Sequence, residues 1–432
     1  MAEFLTQDKR QDLRLKEALP VRFKWAEQKF ERSFDAQTED ISLSGAFIKI
    51  EIEKKILGKK VLIEIVSSPI GSMIATPAEV VWVKEEKGRI LGVGVKFVEV
   101  DETKREEILK LVLEKLFPPR ETKITFKAIN RKLSEKETRG LEILDLIRRD
   151  GPVSVSNIAQ AIGVNVVTTT NYLKDYLKKE LLIDCGEDVS TGGRRPNLMA
   201  LNPRYGFCIG LEINHQANLI LGVLVDLTSK IVAKVKENLT SDTNINQRSV
   251  EIILRLIKNS QADREKILGI ALGIDSATNV EPLKEYIEKK VNLPVLSQRS
   301  CQVGVFAEKW LNMDLSGIDN LVYLDSTEHC SLVIDGKIYL GSTEEAGWIH
   351  SPRPNIKEDL FCLISLLNPQ AIVISKKLIE QKEDFLKIIR EDIRKALSRL
   401  SKLPTVIAST LGEDTVVLAV CSLAVREIFM QV

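Results

Sequence analysis

The pattern of apolar and polar positions changes period twice along the chain. From residue 15 to 99 the two alternate in short runs, as in Val21-Arg22-Phe23-Lys24-Trp25, Ala46-Phe47-Ile48-Lys49-Ile50 and Val61-Leu62-Ile63-Glu64-Ile65. A period of two sends successive side chains to opposite faces, so each run predicts a half-buried strand. Gly71-Ser72 and Lys87-Gly88 are turn signals between such strands. Helical spacing follows from Thr103 to Phe117, and Pro118-Pro119 stops it. This part reads as a small β-barrel with a closing helix, over residues 1–118. Residues 119–134 read as a basic linker, with Arg120 to Ser134 the expected hinge.

The period then becomes helical. One helix is expected from about Lys136 to Arg149, ended by Gly151-Pro152. A second starts at Ser154, a good N-cap, and ends at Ile162. Gly163-Val164 makes a tight turn, and Asn165 caps a third helix running to about Lys179. Two short helices joined through a glycine turn are the helix-turn-helix signature. Strands at Leu181–Cys185 and Asn197–Leu201 bracket Gly192-Gly193-Arg194-Arg195-Pro196, so residues 135–203 read as an α+β winged helix with a basic wing tip. Ile158, Ala159, Thr169, Leu173 and Leu177 have the spacing of its core.

From residue 204 to 432 strands and helices alternate. Strands are expected at Phe207–Ile213, Leu219–Asp226, Ile267–Gly273, Leu321–Leu324, Ala371–Ser375 and Thr405–Ala408. Helices are expected at Arg248–Asn259, Gln302–Leu311, Leu360–Leu367, Asp384–Ser398 and Glu413–Phe429. This is an α/β pattern, a mixed sheet in two repeating halves.

Composition narrows the function classes. The 432 residues are 44% hydrophobic and 28% charged, which excludes a largely disordered chain. Net charge is +1, so binding to nucleic acid has to come from a local patch. The start, MAEFLTQDKR, lacks the apolar core of a secretory signal. The longest apolar stretch, Val416 to Val425, is about half of what a membrane span needs. Six scattered cysteines form no CxxC pair, which points to buried free thiols in a reducing cytoplasm rather than to disulfides or zinc. A cytoplasmic protein without membrane attachment, cofactor or metal is expected.

Arg10-x-x-x-Arg14 precedes the first strand, Asp40-x-Ser42-x-x-Gly45 sits at the entry to a later one, and Gly92-Val93-Gly94-Val95-Lys96-Phe97 follows. On this strand order the combination resembles a PilZ domain over roughly residues 8 to 117. The resemblance implies binding of cyclic di-GMP. The residue chemistry suits that ligand: Arg10 and Arg14 offer planar forks for phosphate oxygens or guanine edges. Asp40 can accept from guanine N–H groups, Ser42 can bond a base edge, and Gly45 permits close backbone approach. Lys9 could neutralise a second, stacked ligand molecule. The competing reading is solvated surface charge for the cations and an ordinary strand-entry turn for residues 40–45.

In the winged helix, Val166, Val167, Thr168, Thr170, Asn171 and Lys174 are expected to face outward. Short β-branched and amide side chains can meet thymine methyls, adenine edges and phosphates. Arg194 and Arg195 could enter a minor groove or grip phosphates. Against this, residues 134–196 hold nine basic and ten acidic side chains, so one copy would release few counterions. A homodimer on double-stranded DNA, reading a pseudo-palindrome, would double the contacts. The competing use of the winged helix is a protein-contact surface.

Ser190-Thr191-Gly192-Gly193-Arg194-Arg195-Pro196, Leu201-Asn202-Pro203, Ile209-Gly210-Leu211-Glu212 and Ala307-Glu308-Lys309-Trp310 resemble the ROK family, over about residues 136 to 430. That resemblance implies a winged helix joined to an actin-like, ribonuclease-H-like sugar-kinase fold. The chain departs from the family where its chemistry lies. The first phosphate loop, Asp-x-Gly-Gly-Thr in the family, is Glu212-Ile213-Asn214-His215-Gln216, whose side chains obstruct the close approach that phosphate needs. The position of the catalytic base holds Ser300, beside Arg299, and a serine is no general base near neutral pH. The second phosphate loop is Asp325 to Leu332, shorter and without glycine. The Glu-x-Gly-His segment is Trp348-Ile349-His350-Ser351, and the cysteine-rich zinc segment is missing. His329 and His350 read as ordinary loop histidines. A degenerate, non-catalytic domain serving as a dimerisation scaffold is expected. The whole chain then reads as a cyclic di-GMP-responsive transcription regulator. The alternative is a cyclic di-GMP effector acting through protein partners.

Overall fold

The structure is a computed structural model. It describes residues 14–25, 33–52, 56–66, 73–86, 88–118, 124–127, 131–187, 197–241, 243–275, 277–326, 328–349, 356–380, 384–398 and 402–432. The chain divides into two compact units, residues 1–121 with 244–264 and 287–292 in one, and the rest in the other.

In the first unit six strands close a barrel. They are β1 (Pro20–Trp25), β2 (Ser33–Ile41), β3 (Gly45–Ile52), β4 (Lys60–Val66), β5 (Met73–Glu86) and β6 (Arg89–Phe97), in the order β1-β2-β3-β6-β5-β4, and β4 pairs back onto β1. All pairs are antiparallel. The alternation does what the sequence implied: Val21, Phe23, Ile48, Ile63 and Ile65 are buried, while their sequence neighbours Arg22 and Lys49 are exposed. Helix α1 (Glu102–Leu116) is capped by Asp101, whose carboxylate accepts from the Lys104 amide, and it buries Ile108, Leu109, Val112 and Leu113. Its other partners in this unit come from late in the chain. Arg105 meets Glu251 at 2.7 Å, Glu106 meets Lys290 at 3.2 Å, and Asn292 donates to the Phe117 carbonyl at 2.6 Å.

The second unit opens with a winged helix. Helix α2 (Glu135–Asp150) begins in a capping box made by Ser134 and Glu137. Strand β7 (Val153–Ser154), α3 (Val155–Ile162), α4 (Val166–Lys178), β8 (Leu182–Glu187) and β9 (Asn197–Leu201) follow, with sheet order β7-β9-β8. Gly163 ends α3 at φ +67°, a left-handed turn that costs glycine little. The core differs from expectation by one position: Tyr176 is buried and Leu177 only partly so. Gly140 makes the room, because a Cβ there would lie 2.7 Å from the Tyr176 hydroxyl.

Two sheets of identical plan follow. The first holds β10 (Phe207–Asn214), β11 (Leu219–Asp226), β12 (Ile231–Asn238), β13 (Ile267–Ile274) and β14 (Val295–Arg299), in the order β12-β11-β10-β13-β14. The second holds β15 (Leu321–Leu324), β16 (Cys330–Ile334), β17 (Lys337–Ile338), β18 (Ala371–Ile374) and β19 (Thr405–Ala408), in the order β17-β16-β15-β18-β19. In both, a three-stranded antiparallel meander continues into two parallel strands. The helices are α5 (Ile245–Ser260), α6 (Val280–Val291), α7 (Ser300–Leu311), α8 (Ile356–Leu367), α9 (Lys376–Ile379), α10 (Phe385–Ala396) and α11 (Thr415–Phe429).

Helix α11 is buried on nearly every side, and its apolar run joins one continuous core with α2, α4, β10 and β11. The winged helix is therefore part of the same hydrophobic body as the first of the two sheets. Arg148 of α2 stacks on Trp310 of α7 at 4.3 Å and donates to its carbonyl at 2.6 Å. The described part of the linker is not the free hinge expected of it. Ile124 and Phe126 pack against this core, and the Thr125 amide donates to Gln431 at 2.9 Å. A Cβ on Gly269 would lie 2.6 Å from the Phe126 ring, so glycine there admits the phenyl group. The cysteines also depart from expectation. Cys208, Cys330 and Cys421 are buried, but Cys185 and Cys362 are exposed. No helix among the described residues is long and apolar enough to cross a membrane.

Candidate functional site

The segment before β1 is held against the end of β2. Leu15 and Ile41 exchange backbone hydrogen bonds at 2.7 and 2.9 Å. Thr38, buried at 1% exposure, receives the Leu19 amide on its hydroxyl at 2.9 Å and donates that hydroxyl to the Glu17 carbonyl. This clamp delivers the Arg14 guanidinium to the Asp40 carboxylate, with which it pairs directly. Asp40 also accepts the Phe47 amide at 3.2 Å. Ser42 and Gly45 close the turn between β2 and β3. The Ser42 amide donates to the Gly45 carbonyl at 2.8 Å, and its buried hydroxyl donates to the same oxygen at 3.1 Å. To bond a base edge this hydroxyl would have to leave the turn. Gly45 is required by β6 itself, since a Cβ there would lie 2.2 Å from the Val95 carbonyl oxygen. Lys9 and Arg10 lie outside the described residues.

Sequence reasoning missed the aromatic pair beside Asp40. Phe47 stands opposite Asp40 in the β2–β3 register and opposite Gly94 in β6, and Gly94 in turn pairs with Trp82. The rings of Phe47 and Trp82 lie 5.4 Å apart, and Trp82 is 53% exposed. Gly92 and Gly94 leave room for them: a Cβ on Gly92 would meet the Phe47 ring at 2.5 Å, and one on Gly94 the Trp82 Cβ at 3.2 Å. The signal was the Gly-x-Gly spacing in a strand, which clears one face for large neighbours. Phe47 also lines a groove of about 740 Å³, together with Lys49 and Lys84 and the carboxylates Asp35, Glu39 and Glu51.

On α4, Val166, Val167, Asn171 and Lys174 are exposed, while Thr168 and Thr170 are half-buried. The Thr170 hydroxyl bonds back to the Val166 carbonyl at 2.7 Å, and the Thr168 amide is capped by Asn165 at 2.7 Å. The wing tip with Arg194 and Arg195 lies outside the described residues.

In the paired sheets the first loop is closed by its own side chains. The His215 amide donates to the Asp275 carboxylate, and the Ala217 amide donates to Asn214 at 2.9 Å. His215 Nδ1 lies 3.1 Å from Asp275 and 3.3 Å from the Thr278 hydroxyl. Arg299 donates to the Asp275 carbonyl at 2.9 Å. The His215 and Ala217 amides of this loop are thus already satisfied. In the second loop Asp325 and Ser326 both donate to the His329 carbonyl, at 3.1 and 3.3 Å. Glu212 is 5% exposed and its Oε2 has no partner; burial, the largest cause, pushes its carboxyl up to about 7, opposed by Asn214 and Lys377. Ser300, the first residue of α7, also has an unpartnered hydroxyl. The His329 and Trp348 rings lie 4.0 Å apart, tilted by 56° to each other, and His350 lies outside the described residues. Among the described residues no three His, Cys, Asp or Glu converge on a possible metal site.

Comparison with known proteins fits this geometry. Residues 8–114 match the family model of the PilZ domain, and that part of the chain is a PilZ domain. The remainder has the fold of a ROK family transcriptional regulator, a winged helix followed by a ROK-type kinase fold. The structure of such a regulator, a homologue of the E. coli MLC protein, superposes with a TM-score of 0.54 at 14% identity, covering 68% of this chain and 97% of that one. In sequence the chain is similar to the xylose repressor of Caldicellulosiruptor bescii, 23% identical across 57% of this chain and 68% of the relative. The xylose repressors of Bacillus subtilis (22%, 51% of this chain and 59% of the relative) and Staphylococcus xylosus (27%, 50% and 60%) are similar as well. The chain thus spans about three fifths to two thirds of these curated relatives.

Proposed function

We propose that the protein is a cyclic di-GMP-responsive, DNA-binding transcription regulator of the ROK type without kinase activity. The observation that carries this reading is the union on one chain of the Arg14–Asp40 pair, beside the Phe47–Trp82 shelf of a PilZ barrel, with a winged helix whose α4 offers Val166, Asn171 and Lys174 to solvent. Arg14, with Lys9 and Arg10, takes ligand phosphate or guanine edges; Asp40 accepts from guanine N–H groups, and the Gly45 turn sets the approach. The aromatic shelf gives a base a face to stack on. Asn171, Thr168, Thr170 and Val166 read base edges, and Arg194 and Arg195 grip phosphate or the minor groove. The paired sheets assemble a homodimer in the cytoplasm. Their loops support the absence of catalysis, because the His215 and Ala217 amides are bonded to the Asp275 carboxylate and the Asn214 side chain, and the Asp325 and Ser326 amides to the His329 carbonyl.

Selection of genomic DNA fragments by the whole chain, with and without cyclic di-GMP, tests the reading. A selected sequence whose affinity changes with ligand supports it; no preference for any sequence in either state ends it. Val166 and Val167, 52% and 71% exposed, favour one competing use of the same helix, contact with a protein partner. Ligand binding without DNA selection would bring that use forward.

A further inference from the structure

A second cavity, in the unit that holds the winged helix, carries a chemistry none of the above uses. It encloses about 360 Å³ and is lined by Arg131, Lys132, Thr138, Phe306, Lys337 and Arg426, with Leu133, Gly336 and Ile338 completing the wall. Four cations face it and no acidic residue lines it. They come from three places: the linker just before the Ser134 cap of α2, the β16–β17 turn, and the end of α11. The turn is set by Asp335 and Gly336, at φ +49° and +75°, so the Lys337 backbone is held at the cavity wall.

The acidic groups behind the wall only partly balance these charges. Glu137 takes Arg131 at 2.9 Å, and Glu427 lies 3.9 Å from Arg426. Lys132 and Lys337 are exposed and have no acidic partner among the described residues. The Arg131 Nε is buried and has no acceptor, although Nη2 of the same group is bonded to Glu137. A buried guanidinium N–H without an acceptor costs free energy, and an anion bound at this wall would supply one. The Arg426 charge is also opposed, first by burial and then by the Arg131 charge beside it. Phe306, Leu133 and Ile338 give the cavity an apolar side, so its occupant is more than a bare ion.

We propose that this cavity binds a small phosphate monoester of about the bulk of a sugar phosphate, held by Arg131, Lys132, Lys337 and Arg426. Planar guanidinium forks and ammonium groups are the donors that phosphoryl oxygens select, and the volume lies at the small end of the range of ligand cavities. Its lining shares no residue with the Arg14–Asp40 pair or with the loops at 212–217 and 325–332. Its occupant would tie the residues preceding the reader's first helix to the β16–β17 turn and to α11, and so give the regulator a second chemical input.

The test is calorimetric titration of the whole chain with glucose 6-phosphate, inorganic phosphate and glucose, repeated on the Lys132→Ala/Lys337→Ala double variant. Saturable binding of glucose 6-phosphate at one site per chain, no binding of glucose, and an affinity at least about tenfold weaker in the double variant is the expected result. The unliganded melting temperature should be unchanged, because both lysines are exposed. Tighter binding of the ester than of inorganic phosphate assigns the apolar wall to the ester's organic part. Absence of saturable binding by either anion, or equal affinity in the double variant, overturns the proposal. So does a double variant that loses DNA affinity while neither protein binds the small anions, since the lysines would then be DNA contacts.

Discussion

At the scale of single residues, polar groups sort by whether the fold has already used them. Asp40 and Arg14 satisfy one another at the barrel surface, each side chain still about a quarter exposed, so the pair can open toward a charged ligand. Arg14→Ala is expected to abolish cyclic di-GMP binding while leaving the barrel folded, because no described neighbour supplies a second planar donor there. Calorimetry with circular dichroism checks it, and wild-type affinity in the variant would remove the assignment. Glu212 is the opposite case, a carboxyl the fold has buried and left half-bonded. Its folded value of about 7 lies above the ordinary carboxylate value, so the folded state holds more protons than the unfolded state between the two. Stability therefore falls as pH rises through that window, by at most roughly 3 kcal/mol from this group. Glu212→Gln should raise the melting temperature at pH 8 and leave it nearly unchanged at pH 4; an equal shift at both would place the cause elsewhere.

At the scale of elements, the proposed reading of DNA assigns base contacts to α4 and phosphate or minor-groove contacts to Arg194 and Arg195. Asn171 stands exposed one turn into the helix, where a base edge can be reached. Asn171→Ala is expected to cost about 1–3 kcal/mol on a selected site and to relax one base position. Neutralising Arg194 and Arg195 together should weaken every sequence alike and lower the salt slope by about two. Titrations on selected and scrambled DNA over a salt series separate the two effects. Element legibility in the sequence followed the strength of the caps. Ser134, Ser154 and Asn165 each accept the amide their position implies, and α2, α3 and α4 begin within a residue of expectation. Strands without clean alternation were harder to see. β2 carries a bulge between Thr38 and Asp40 that breaks its period of two, and β17, at two residues, is too short to show a period.

At the scale of the whole molecule, the two sheets repeat one plan, and amides in their first loops bond groups of the same loops. The chain is expected to show no ATP turnover against a panel of hexoses. Turnover that disappears on mutating His215 or Asp275 would reverse that conclusion. The amino-acid order by itself determined the fold classes: the antiparallel barrel, the helix-turn-helix and the doubled α/β half; the direct pairing of Arg14 with Asp40 came only with the structure. These rest on local periodicity, caps and short motifs, which act over a few residues. Only the tertiary structure decided that Ile124 and Phe126 of the linker pack against the second unit's core rather than swinging free. It alone placed Phe47 and Trp82 on a shelf cleared by Gly92 and Gly94, and gathered Arg131, Lys132, Lys337 and Arg426 around one cavity. Those arrangements join residues up to about three hundred positions apart, and spacing along a chain carries no information about which distant surfaces will find each other's shape and charge.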